Sequence, residues 1–235
     1  AKTTMVTHMG TYAWNTMSFG LTNAPAHFSR CMDVLLAGLH WRCASVFIDD
    51  IVVYSNSFEE HLGHLDEVFG RLKEFEVKVK PSKCQLFKDE LTYLGHQITK
   101  EGINPIIDRV EAINKIPKPT TLKQLRSYIQ KCNYYRRFIK DFSKICNPLR
   151  ELTTKKKLPF KSWAEGSDED IAFVKLRKAL TSAPVLKHPQ HNQPYFIEVD
   201  ACEEGIGATL MQEFPPEEGT STKPRKHPIH YASRR

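Results

Sequence analysis

Apolar side chains recur along this chain with two periods, and the period changes several times. Residues 1–18 read as β-structure with turns, Met9–Gly10 marking a turn before an aromatic-rich stretch. Phe28, Met32, Leu35, Leu36 and Leu39 then follow at helical spacing. The run 19–25 is the loop that opens this helix, with Thr22 or Asn23 placed to cap it and Pro25 suited to its first turn. Two β-rich apolar runs, Val46–Ile48 and Ile51–Tyr54, flank Asp49 and Asp50, which predicts a buried hairpin with both acids at its tip. Phe58, Leu62, Leu65, Phe69, Leu72 and Phe75 return to the helical period. Short strands are expected at 77–79, 85–87, 91–94 and 97–99, punctuated by Pro81 and Gly102. From Ile106 the pattern is helical and basic. Thr120 and Thr121 precede a helix carrying Leu122, Leu125, Tyr128 and Ile129, and Tyr134–Phe138 begins or continues another. Residues 155–159 read as a linker. A helix is expected over 168–180 on Ile171, Phe173, Val174, Leu176 and Leu180. A hairpin of 195–199 and 206–212 joined by 200–205, a polar loop over 214–228 and a last strand at 229–232 complete the reading.

Composition narrows the class. The chain has 235 residues, 40% apolar and 26% charged, the make-up of folded protein in one to three compact units. No apolar run is long enough to span a bilayer. Six cysteines at wide, irregular spacings, without a C-x-x-C pair, disfavour a zinc ribbon or a disulfide framework and read as reduced thiols of a cytosolic or nuclear protein. The net charge of +7 is unevenly spread. Residues 109–157 hold fourteen Lys/Arg against Glu111, Asp141 and Glu151, a block of +11 that leaves the remainder at −4. Such a block suggests a polyanion, most often nucleic acid, although a solvated helical surface explains it equally. No basic helix with bulky apolar anchors points to a membrane.

Asp49 and Asp50 carry the sharpest chemistry. Two carboxylates at one turn repel, and burial worsens the repulsion. A divalent cation removes that cost, and Mg²⁺ suits a site of hard oxygens that bridges substrate phosphates. A purely structural turn between such strands would more often use Asn-Gly or Asp-Gly. His61 and His64, three residues apart on a helix, lack a third ligand nearby and read as surface and packing residues.

Six motifs, in order, resemble the reverse transcriptase of gypsy-type LTR retrotransposons. Met17–Pro25 resembles M-P-F-G-L-x-N-A-P, with Ser18 in place of Pro. Phe47–Asp50 is similar to the Y/F-x-D-D box, and Glu59–His64 to E-E-H-x-x-H. Tyr93–His96 resembles F-L-G-H, and Asn133–Ile139 resembles G-Y-Y-R-R-F-I with Asn133 in place of Gly. Phe196–Ala208 is similar to T-D-A-S-x-x-G-x-G-A. The resemblance implies an α+β right-hand polymerase: a partial palm over 1–103, a helical thumb over 104–154, a connection over 155–190 and an RNase H-like domain over 191–235. It implies that Asp49 and Asp50 are two of three catalytic carboxylates, with Lys83 as a proton donor to pyrophosphate. Phe19, Gly20, Asn23, Pro25 and Phe47 would form the nucleotide and template pocket, and Tyr93, Leu94, Gly95 and His96 the primer grip. Lys123, Arg126, Lys131, Arg136, Arg137 and Lys140 would face nucleic-acid phosphates, which positions a strand without reading its sequence. Asp200 would be the first RNase H metal ligand.

The implied cofactor is Mg²⁺, with Mn²⁺ as its alternative. The implied partners are RNA and DNA template-primer, RNA/DNA hybrid, deoxynucleoside triphosphates and the remainder of the Pol polyprotein; a homodimer is an alternative assembly. The expected location is a cytoplasmic virus-like particle or the nucleus, not the exterior. Residues 1–18 contain no Asp or Glu, so the third polymerase carboxylate is expected upstream of Ala1 and the partners of Asp200 beyond Arg235. These 235 residues alone are therefore expected to extend no primer. The alternative is a non-catalytic nucleic-acid-binding remnant.

Overall fold

The structure is a computed structural model that describes residues 3–18, 20–154, 163–203, 205–216 and 224–234. The chain divides into two compact units, residues 1–86 and 87–235. The 155–159 linker expectation lies outside the described residues.

In the first unit, β1 (Met5–Thr7) and β2 (Gly10–Tyr12) form a small antiparallel hairpin. Helix α1 (Ala24–Leu35) starts after Asn23 with Pro25 in its first turn, but the Asn23 side chain makes no capping bond. Strands β3 (Ala44–Phe47) and β4 (Asp50–Val53) pair antiparallel, and helix α2 (Phe58–Glu74) follows. Met32, Leu35, Leu36 and Leu39 from α1 and the turn after it meet Cys43, Ala44, Val68 and Leu72 in one core. The expected stripe on α2 is only partly covered: Leu72 is buried, whereas Phe58, Leu62, Phe69 and Phe75 are exposed, as is Phe28 on α1. The expected strand at 77–79 is absent. Glu76 takes a left-handed conformation, Val77 N donates to Leu72 O at 2.8 Å, and Glu76 N donates to Lys73 O at 3.1 Å. These two bonds close α2 as a Schellman cap and consume the backbone that a strand would need. The run 85–87 is likewise not a strand, and a short 3₁₀ turn covers Pro81–Lys83.

The second unit opens with the three-stranded antiparallel sheet β5 (Leu91–Tyr93), β6 (His96–Ile98) and β7 (Ile103–Pro105). Residues 87–103, expected at the end of the palm, group with this unit. Helices α3 (Ile107–Asn114), α4 (Leu122–Tyr134), α5 (Phe142–Thr154) and α6 (Asp168–Thr181) follow. Thr121 starts α4 with a reciprocal capping box to Gln124, which satisfies two otherwise orphaned amides. A 3₁₀ turn at Arg136–Phe138 turns the chain into α5. Leu125, Tyr128, Phe138, Phe142, Leu149 and Leu176 are among the fully buried side chains that join these helices.

Strands β8 (Phe196–Cys202), β9 (Gly205–Phe214) and β10 (Arg225–Arg234) form an antiparallel sheet in the order β10-β9-β8. The β8–β9 pairing continues to Cys202 opposite Gly205. Asp200 therefore lies within a strand, opposite Gly207, rather than in the joining turn expected from the sequence. Likewise β9 reaches Phe214 and β10 begins at Arg225, so strand occupies both ends of the expected loop. Within the second unit Gly102 lies close against the backbone at Leu186: a Cβ there would collide with Leu186 O, and Leu186 exchanges two backbone bonds with Ile103.

Candidate active site and nucleic-acid interface

The β3–β4 turn is the tightest kind. Phe47 pairs with Asp50, leaving Ile48 and Asp49 as the two turn residues. Ile48 has φ +56°, a conformation that β-branched residues avoid. The base of the hairpin is half-buried, but its tip is not: Asp49 and Asp50 are exposed, as are Phe47 and Ile48. The expectation of a buried pair is thereby corrected. The sequence signal was the apolar flanks, and those flanks cover the strands rather than the turn. Phe47, expected in the nucleotide and template pocket, is 53% exposed.

Asp49 and Asp50 offer hard oxygens at one exposed turn, which fits a divalent cation that retains water and takes further ligands from substrate phosphates. Among the described residues no group of three His, Cys, Asp or Glu is arranged to hold a metal. The pair supplies part of a ligand set, not all of it.

Helix α2 is anchored to the strand end behind this turn by its histidines. Ser55 Oγ lies 3.0 Å from His61 Nδ1 and 2.7 Å from His64 Nδ1, and His64 Nδ1 lies 3.2 Å from Tyr54 O. One assignment satisfies all three: His64 Nδ1–H donates to Tyr54 O and Ser55, and Ser55 donates to His61. The two histidines hold strand to helix, as their reading as packing residues anticipated. Ser57 accepts from Glu60 N at 3.1 Å and Glu60 accepts from Asn56 N at 2.7 Å, which fixes the start of α2.

Lys83 closes the exposed 3₁₀ turn, and Gly20, Asn23 and Pro25 are exposed around the start of α1. Gly20 has φ +84°. Phe19 lies outside the described residues.

In the second unit, Leu94 (φ +44°) and Gly95 (φ +72°) make the two-residue turn between β5 and β6. Tyr134 donates its hydroxyl to Leu94 O, and Tyr135 donates to Gly95 O at 3.2 Å. His96 stacks on Tyr134, with ring centroids 5.4 Å apart and planes 10° from parallel, and meets Tyr135 edge-on. Burial first, then the charges of Arg137 and Arg109, hold the His96 imidazole below its ordinary range. The sequence presented Tyr93–His96 and Tyr134–Phe138 as two separate motifs; the fold makes them one structure.

The basic candidates differ in what they touch. Lys123, Lys131 and Lys140 are exposed. Arg126 donates to Thr153 O at 3.2 Å and Arg136 to Ser233 O at 2.8 Å, so each also ties backbone together. Arg137 is half-buried, and desolvation lowers its pKa. Asp200 is exposed on β8 and lines a small cleft with Asp141, Lys144 and Ser233.

The mixed helix-and-sheet architecture, with an acidic hairpin tip, basic helices and a three-stranded antiparallel sheet after them, is that of part of a reverse transcriptase with an RNase H-like region. Residues 2–98 match the family described as reverse transcriptase (RNA-dependent DNA polymerase), and residues 166–235 match the RNase H-like domain found in reverse transcriptase. The chain belongs to the reverse transcriptase and RNase H-like region of LTR-retrotransposon Pol polyproteins. It is 33% identical over 233 residues to the Pol polyprotein of transposon 297 from Drosophila melanogaster, covering 99% of this chain and 22% of that protein. It is 32% identical over 226 residues to that of transposon gypsy from the same organism, covering 92% and 22%. The chain thus spans about a fifth of the length of these relatives. Among solved structures it is similar to the foamy viral protease-reverse transcriptase in complex with double-stranded DNA, at TM-score 0.80 and 27% identity, covering 98% of this chain and 38% of that one. The same enzyme with an RNA/DNA hybrid aligns at TM-score 0.75, covering 99% and 30%. Families of this class use divalent metal ions.

Proposed function

We propose that this chain supplies the acidic tip, thumb and first RNase H-like strands of an RNA-directed DNA polymerase that works within a longer Pol polyprotein. The observation that carries the proposal is the Asp49–Asp50 pair on an exposed two-residue turn whose first residue, Ile48, is held at positive φ. Strain of this kind persists where the surroundings over-determine it, and it clusters at working sites.

On this reading Asp49 and Asp50 bind Mg²⁺, or Mn²⁺ in its place. The metal supplies activation of the primer 3′-hydroxyl and charge stabilisation on the departing pyrophosphate. The residues do the rest. The hairpin fixes both carboxylates at one turn. Lys83 donates a proton to pyrophosphate. Gly20, Asn23 and Pro25, with Phe19, present the start of α1 to the nucleotide and template. The Tyr93–His96 turn holds the primer end, and Lys123, Lys131 and Lys140 meet phosphates. The substrates are template-primer and deoxynucleoside triphosphates, and Asp200 serves hydrolysis of the RNA strand of a hybrid. On this reading the third polymerase carboxylate is supplied by the longer polyprotein.

Primer extension by the polyprotein reverse transcriptase carrying this chain tests the proposal. Asp49→Asn and Asp50→Asn should each lower kcat on the order of a hundredfold or more, the scale of several kcal/mol of lost charge stabilisation. Extension at the unmutated rate in either variant would overturn it. The 235 residues alone should extend no primer, and robust extension by the pure chain would sink the claim of an external third carboxylate.

A further inference from the structure

Ser233 of β10 holds two partners outside its own sheet. Arg136 Nη2 donates to its carbonyl at 2.8 Å, and its hydroxyl accepts from Ser143 N at 2.9 Å. Ser143 lies in the first turn of α5, where backbone amides have no partner within the helix. Ser233 therefore caps α5 from ninety positions away, and it is buried in doing so. The residue before α5, Asp141, has φ +55°, a left-handed conformation that Asp tolerates better than most residues. Its carboxylate fills the space over Gly207 of β9: an added Cβ there would collide with Asp141 Oδ1.

The register of the sheet places these contacts in one row. Ser233 pairs with Gly207, and Gly207 pairs with Asp200. Residues directly opposite each other in an antiparallel sheet share a face, so Asp200 lies on the face that the start of α5 meets. Asp141, Ser143, Lys144, Asp200, Gly207 and Ser233 line one cleft there. The chain just before Arg136 is committed in the other direction. Tyr134 and Tyr135 donate to the carbonyls of Leu94 and Gly95. Three consecutive residues, Tyr134 to Arg136, thus join the Leu94–Gly95 turn to the sheet that carries Asp200.

We propose that Ser233 and Asp141 are positioning residues: they fix Asp200 relative to the Leu94–Gly95 turn and so set where the RNA strand of a hybrid is cut relative to the primer end. The proposal rests on the primer-grip and Asp200 readings above and adds to them what holds the two places at a set separation. A hybrid held by its primer end reaches Asp200 at one position only when the path between them is rigid. Two strand spacings, about 10 Å, separate Asp200 from the Ser233 backbone. Ser233 is held through its carbonyl by the segment after α4 and through its hydroxyl by the start of α5, so the sheet cannot pivot about either helix. Asp141 blocks sliding of the same row at Gly207.

RNA cleavage by the polyprotein reverse transcriptase carrying this chain tests the proposal, on an end-labelled RNA template annealed to a DNA primer without deoxynucleoside triphosphates. The unmutated enzyme should cut at one dominant distance from the primer 3′ end. Ser233→Ala removes the acceptor for Ser143 N, and Gly207→Ala displaces Asp141. Each should spread the cuts over neighbouring positions and lower the dominant share several-fold. Ser233→Thr keeps the hydroxyl and should restore the single distance. Primer extension by the same variants reports that they are folded and should continue near the unmutated rate. A dominant distance unmoved in both alanine variants would overturn the proposal, even with less total cleavage, because a merely structural loss lowers the amount of cutting without moving it. Scattered cuts by the unmutated enzyme would overturn it as well. Asp200→Asn separates the two readings. Undiminished cleavage in that variant would overturn the Asp200 reading itself. Its loss, together with an unmoved pattern in the alanine variants, would overturn the positioning role alone.

Discussion

Tyr135 donates its phenolic hydrogen to the carbonyl of Gly95, 3.2 Å away and forty positions earlier in the chain. The ring itself is 2% exposed and belongs to the helical core. A single side chain thus links that core to the turn that carries the candidate primer grip. Burial raises the pKa of its phenol, and Arg109 beside it opposes the shift. Tyr135→Phe keeps the ring and removes only the hydroxyl. The expected cost is about 1 kcal/mol, the net value of one such bond, measured as a lower urea midpoint with unchanged m-value. A larger loss would mean that the ring, not the bond, had been disturbed.

Much of this arrangement was legible in the sequence, and the failures have physical causes. Thr120 and Thr121 announced the start of α4, because capping is local chemistry; the reciprocal bond to Gln124 emerged only with the structure. The α2 stripe was read correctly as helix, but periodicity identifies a face without saying whether anything covers it, and Phe58, Leu62, Phe69 and Phe75 are exposed. Val77 imitated a strand by alternation, yet its amide was already committed to the end of α2. Asp200 was placed in a turn because acids and glycine follow it; the strand nonetheless runs on, paired to Cys202. For the candidate site, Asp49 and Asp50 were found by adjacency between apolar runs. Ser233 was missed because its relation to Ser143 exists only after folding.

Asp170 shows a second long-range dependence. Its carboxylate accepts from Lys118 at 2.8 Å, from Trp163 Nε1 at 3.1 Å and from Gly166 N at 3.1 Å, joining the start of α6 to the segment before α4. The hydrogen bond from Lys118, followed by that from Gly166, holds the Asp170 pKa below the usual carboxylate range. A depressed folded pKa stabilises the native state above the unfolded value, about 3.9 for aspartate, and the contribution is lost as pH falls through the folded pKa. Melting temperature followed from pH 7 to pH 2 should therefore drop on the acid side. Asp170→Asn should flatten that part of the drop, with Trp163 fluorescence reporting the local change. An acid limb identical in both proteins would remove Asp170 from the account.

Gln212 is 0% exposed, yet every polar group of its side chain is matched. Its oxygen accepts from Gln190 N at 2.8 Å, and its nitrogen donates to Gln190 O at 2.8 Å and Gln193 O at 3.0 Å. The amide acts as a strand partner for the loop before β8. Gln212→Leu fills a similar volume and leaves those backbone groups unpaired. It should cost about 2–3 kcal/mol, with faster hydrogen exchange at the Gln190 amide than at neighbours in β9. Unchanged exchange there would show that the loop is held by other contacts.

Ile48 allows stability and function to be separated at the acidic turn. An L-residue in the left-handed region is strained by roughly 1–2 kcal/mol, and glycine escapes that strain while losing about 0.5–1 kcal/mol of backbone entropy. The Ile48 side chain is 36% exposed, so its removal forfeits only part of a buried isoleucine. Ile48→Gly should therefore leave stability within about 1 kcal/mol of the parent. Ile51→Gly, one pair further down the same hairpin, has no such strain to relieve and should cost about 2 kcal/mol more, because it removes an apolar side chain packed against the α1–α2 core. In the longer polymerase the order should reverse. A glycine at 48 frees the turn that fixes Asp49 and Asp50 relative to each other, so kcat for primer extension should fall while duplex affinity is retained. If Ile48→Gly instead destabilises the hairpin as much as Ile51→Gly, the positive φ is not a source of strain. If it leaves kcat untouched, the tight turn is not what positions the carboxylates.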